Sequence, residues 1–162
     1  MGVKNNRNLE RLKSNINLHN APLCKNCPAR LYQPEYLNIL YGKGNMFPKV
    51  IFVLPKQAIM SSIYEELLEE VCKDIINIDE QYITYHEKCL SDKDCADYCV
   101  HYLFHEIRIR NPKKIILFGV NIPEILIKYS FKYQIYKFYD LYSIIHDSKN
   151  KDIIRNKLKQ IL

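Results

Sequence analysis

The spacing of its cysteines constrains this chain more than any other feature. Cys24 and Cys27 form a Cys-x2-Cys turn in Leu23-Cys24-Lys25-Asn26-Cys27-Pro28, and Cys89, Cys95 and Cys99 follow far along the chain. A Cys-x2-Cys turn points two sulfurs at one centre, and a second pair brought from a distance closes the site. Such a site staples the N-terminal segment to the core. Cys95 and Cys99 are four apart, which puts them on one face of a helix. These five thiols are the candidates; ligation by four of them holds a [4Fe–4S] cluster or a Zn2+ ion. The plain alternative is five unrelated buried cysteines. Cys72 falls inside a helical pattern and reads as an apolar core residue.

The 162 residues and 48% apolar content suit one domain, 1–162, with the Cys-x2-Cys segment (1–30) tied to its core. The longest apolar runs, Val50 to Leu54 and Ile115 to Val120, fall well short of the roughly 20 residues that span a bilayer. No apolar stretch follows the N-terminus, so a secretory signal is not expected. The expected setting is the cytoplasm, where free thiols favour metal over disulfides. Charge is segregated. Residues 1–60 carry nine Lys or Arg against two acids, 61–99 three against eleven, and 100–162 twelve against five. Basic ends around an acidic middle suit a nucleic-acid face, or a set of solvated helices.

Leu9, Leu12 and Ile16 space a short amphipathic helix. Tyr41-Gly42-Lys43-Gly44-Asn45 reads as a turn, and Lys49 to Leu54 as a buried strand. A helix follows to about Ile76, its start marked by a Ser62–Glu65 capping box. Gln81 to Tyr85 is a second strand, and a helix runs from about Cys95 to Arg110, before Pro112. Lys114 to Gly119 is a third strand, Glu124 to Tyr129 a short helix, and Gln134 to Tyr139 a fourth strand. The last helix, from Lys149, is capped by Asp147 or Ser148 and carries Ile153, Ile154, Leu158 and Ile161 on one stripe. This alternation predicts an α/β fold: three α/β/α layers around a central four-stranded, mainly parallel sheet. Ligands in such sheets bind beyond the carboxyl ends of the strands.

The order of these segments resembles the iron–sulfur uracil-DNA glycosylases of the family 4 type. The likeness is collinear over roughly residues 22–160. It is carried by Cys24-x2-Cys27, Gly42-Lys43-Gly44-Asn45 before the first strand, Tyr82-Ile83-Thr84 with Lys88-Cys89, and Cys99 heading a helix. Pro112-Lys113-Lys114-Ile115-Ile116-Leu117-Phe118-Gly119 and His146-Asp147-Ser148 complete it. The resemblance implies a glycosylase-like sheet and a structural [4Fe–4S] cluster near DNA. It makes Cys24, Cys27, Cys89 and Cys99 the ligands and leaves Cys95 spare; zinc is the alternative metal.

The chemistry-bearing positions depart from the family pattern. Where the family has Gly-Glu-x-Pro-Gly, this chain has Leu54-Pro55-Lys56-Gln57, with no carboxylate. Leu54 takes a base-contacting position, and Gln57 is left to orient a water. Tyr85 stands where an Asn reads the pyrimidine edge, and a phenol cannot offer both the donor and the acceptor of an amide. His-Pro-Ser is here His146-Asp147-Ser148, so His146 remains a donor for charge developing on a leaving base. His101 and His105, also four apart, read as structural. Tyr129, Tyr133, Tyr136, Tyr139 and Tyr142 suit strands and core, or stacking on bases. Lys149, Lys151 and Arg155 on the last helix suit phosphates or solvent.

Three readings follow. The first is a divergent glycosylase of altered base specificity. The second is a non-catalytic descendant that binds DNA, or a replication or repair protein, through its basic ends. The third is a zinc-stapled α/β binding module. A membrane is not an expected partner, and the oligomeric state is open.

Overall fold

The computed structural model describes residues 27–28, 40–90, 94–121, 123–128 and 131–162. The expected helix around Leu9 to Ile16, and Cys24 itself, lie outside the described residues.

Among the described residues the sheet has five strands: β1 (Lys43–Gly44), β2 (Val50–Leu54), β3 (Gln81–Tyr85), β4 (Lys114–Phe118) and β5 (Gln134–Phe138), in the order β1-β3-β2-β4-β5. The four expected strands all form and run parallel, with Phe52 opposite both Ile83 and Ile116. The additional strand, β1, forms where the sequence signals a turn. It pairs antiparallel to β3 with Lys43 opposite Ile83. Its glycines make this approach possible. A Cβ on Gly42 would collide with the Ile83 carbonyl oxygen, and Gly44 takes a φ of 124° against Gln81.

Among the described residues, five α-helices cover the two faces: α1 (Ile63–Cys72), α2 (Ala96–Arg110), α3 (Glu124–Ile127), α4 (Ser143–His146) and α5 (Lys149–Ile161). Alternation along the central strands sorts the core. Val50, Phe52, Leu54, Ile116 and Phe118 pack with α1, α4 and α5; Ile51, Val53, Ile115 and Leu117 pack with α2 and α3. Three layers, α/β/α, result. Strands buried on both faces read as unbroken apolar runs, as β2 and β4 do.

Helix ends differ from expectation. Ser62 makes no side-chain cap bond, and Glu65 instead pairs with Lys43. Helix α1 stops at Cys72, earlier than the expected Ile76, because Asp74 turns left-handed at φ 63°. Its exposed carbonyls are claimed by Arg155 of α5, which donates to Glu70 O at 2.8 Å, Val71 O at 3.2 Å and Lys73 O at 3.0 Å. A cation there meets the negative end of the helix dipole. Ile154 and Leu158 are buried as the stripe requires, while Ile153 is 47% exposed. Cys72 sits buried among aliphatic neighbours of α1, as expected. Among the described residues no helix is long and apolar enough to cross a membrane.

Candidate metal centre

Four thiols meet where the β3–α2 connection passes Cys27. Cys27, Cys89, Cys95 and Cys99 are all buried and form one cluster with Tyr102, flanked by Tyr41 and Tyr98. They meet as two pairs. The Cys27 thiol donates to Cys95 Sγ at 3.2 Å, and Cys99 is hydrogen-bonded with Cys89. Cys95 caps α2 and Cys99 lies one turn on, its N–H donating to Cys95 O at 2.9 Å. Among the described residues, no group of three or more Cys, His, Asp or Glu side chains forms a ready-made metal site.

The chemistry of the donors nevertheless suits a thiophilic metal. All four are sulfurs, screened from water by tyrosines. Cys95 and Cys99 occupy the positive end of a 15-residue helix, which favours thiolates. The Lys88 N–H donates to Cys99 Sγ at 3.3 Å, the kind of bond that tunes a sulfur ligand. Hydrogen bonding with Cys89, then burial, push the Cys99 thiol well above its usual range. Metal uptake must displace such protons.

Beneath the thiols lies a charge pair that reading the sequence missed. Lys88 and Glu106 are fully enclosed and joined as an ion pair. The Glu106 carboxylate also accepts from Gly42 N at 2.6 Å, Tyr82 OH at 2.8 Å and Thr84 OH at 2.7 Å. Thr84 in turn accepts from Lys88 Nζ. Burial alone would raise the Glu106 carboxyl, but Lys88 and these donors hold it below its ordinary range. Burial lowers Lys88 despite its partner. The available signal was a single acid on the otherwise apolar stripe Cys99, Tyr102, Leu103, Glu106, Ile107.

A second bridge ties β2 to the thiols. Lys56, just past the strand, pairs with Glu87 at 2.7 Å, and the same carboxylate oxygen accepts from Cys95 N at 2.8 Å.

The remaining site candidates are dispersed. Leu54 is fully buried and Tyr85 is 9% exposed, both in the α1-side core with Ala58, Tyr64 and Ile144. Burial, then Glu65, raise the Tyr85 phenol to about 12. Gln57 is exposed on the short 3-10 turn after β2, and His146 is exposed at the end of α4. His146 meets the edge of Tyr142 at 5.5 Å, and Tyr142 stacks on Tyr64 at 6.1 Å. Burial, then Asp140, raise the Tyr64 phenol to about 12; its hydroxyl lies 3.2 Å from the Asp140 carboxylate. Of the candidate phosphate contacts, Lys151 is paired with Glu70, Arg155 holds the end of α1, and Lys149 is exposed. His101 and His105 are exposed on α2. No family model matches the chain, and no curated protein matches it.

Proposed function

We propose that this chain is a glycosylase-like α/β scaffold that carries an iron–sulfur cluster on buried cysteines and binds DNA without excising a base. One observation carries the reading: Leu54 and Tyr85, at the two positions that would receive a flipped base, lie inside the hydrophobic core. Base excision needs a pocket that stacks the base and reads its edge. Tyr85 fills the equivalent space with a ring of its own. By the family resemblance the cluster's ligands are Cys24, Cys27, Cys89 and Cys99, and the bound cluster supplies a rigid crosslink between the N-terminal segment and α2. Lys88 N–H orients one sulfur of that set, and the tyrosines keep water from it.

A second reading, excision with altered base choice, draws on the exposed Tyr142–His146 pair beyond the strand ends. Incubation with single- and double-stranded oligonucleotides carrying uracil or other modified pyrimidines separates the two. The scaffold reading expects a gel shift that weakens with salt, as counterion release requires, and no alkali-labile product. Strand breaks that vanish in His146→Ala contradict it and establish the second reading. Absence of any DNA binding contradicts both.

A further inference from the structure

We infer that Cys95, in place of Cys24, completes the sulfur set of the metal centre, which is then Cys27, Cys89, Cys95 and Cys99. The inference rests on the metal-centre reading above and assigns a ligand that the family resemblance leaves spare.

A surplus buried cysteine behaves as a small apolar filler, and this chain contains one for comparison. Cys72 packs among the aliphatic side chains of α1 and the sheet. Cys95 does not. It is completely buried, and its cluster consists of the other three sulfurs and Tyr102, edged by Tyr41 and Tyr98. Its sulfur touches Cys27 Sγ at 3.2 Å. One helical turn separates it from Cys99, so a single helix end supplies two donors, as a Cys-x2-Cys turn does.

The backbone of Cys95 is also held in place. Its N–H is bound by the Glu87 carboxylate, which is anchored by Lys56 at the carboxyl end of β2. This chain of contacts fixes the first turn of α2 to the sheet. Lys56 additionally brings a positive charge towards Cys89 and Cys95, where thiolates would gather. Four sulfurs satisfy either a [4Fe–4S] cluster or a tetrahedral Zn2+, so a set complete at Cys95 needs no fifth donor.

The test is metal and sulfide content, with the visible absorption spectrum, of full-length protein purified without oxygen. Wild type is compared with Cys24→Ser, Cys95→Ser, Cys89→Ser and Cys72→Ser. Expected are wild-type metal content and spectrum in Cys24→Ser and Cys72→Ser. In Cys95→Ser, as in Cys89→Ser, metal falls to about half or below, or the spectrum shifts. Full metal with an unchanged spectrum in Cys95→Ser overturns the inference. Should Cys95→Ser fail to fold, Cys24→Ser still decides: loss of its metal overturns the assignment. Metal loss in Cys24→Ser with Cys95→Ser intact restores the resemblance's ligand set and leaves the centre standing. Wild type without metal overturns the inference together with the centre.

Discussion

Enclosing Lys88 and Glu106 costs desolvation of two charges, which only a fully bonded network offsets. The carboxylate has four donors and the ammonium has Thr84 and Glu106. Removing one partner strands the other. Glu106→Gln is expected to lower unfolding free energy by about 3–5 kcal/mol in urea titrations. Lys88→Met with Glu106→Leu should cost much less than the two single changes summed; simple additivity would contradict a coupled pair. The pair also predicts acid sensitivity. The folded Glu106 carboxyl titrates below its unfolded value, so its stabilisation is complete above the unfolded pKa and is lost as pH falls through the folded one. Stability of the wild type should therefore drop more steeply than that of Glu106→Gln as pH falls below the ordinary carboxylate range. Parallel slopes would show that the carboxyl is not depressed.

At the scale of elements, α5 is a clamp. Arg155 spans three carbonyls at the end of α1, beside the Lys151–Glu70 pair. Arg155→Met is expected to cost about 1–3 kcal/mol of stability by leaving those carbonyls without a protein partner. Arg155→Lys should recover little, because a point charge cannot reproduce the fork. On the proposed DNA-binding reading, the salt dependence of binding should not move in either variant; a reduced slope would return Arg155 to the phosphate contacts. Gly42→Ala should break β1 from β3, seen as faster amide exchange at Lys43 and Gly44, since its Cβ collides with Ile83 O. Unchanged exchange would mean that the edge can shift. These elements also separate what the sequence displays from what it hides. β2, β3 and β4 were legible because burial on both faces writes continuous apolar or β-branched runs. β1 was not: two residues have no period, and Gly42 and Gly44 signal a turn as readily as a close approach. The Ser62–Glu65 pattern failed because Lys43, distant in sequence, offered Glu65 an opposite charge. That distant thiols gather was legible from spacing, but the place of Cys95 among them was not. Its thiol contact with Cys27 and its place among the other sulfurs set it apart from Cys72, which packs among aliphatic side chains.

At the scale of the whole molecule, the described residues join the sheet to a cluster of buried thiols beyond the carboxyl ends of its strands. Lys56–Glu87 runs from β2 towards Cys95, and Lys88 joins Cys99 to Glu106 and β3. Leu54 and Tyr85, which the proposed reading sets at the base-receiving positions, lie in the core. On the proposed metal centre, metal would serve shape, and chelation is expected to lower the midpoint of thermal unfolding. The measurement that bears most directly on this account is iron and acid-labile sulfide per chain in anaerobically purified protein. About four of each, with a blue-region absorption band lost in Cys89→Ser, is the predicted result. About one zinc per chain with no sulfide, or no metal at all, would contradict it.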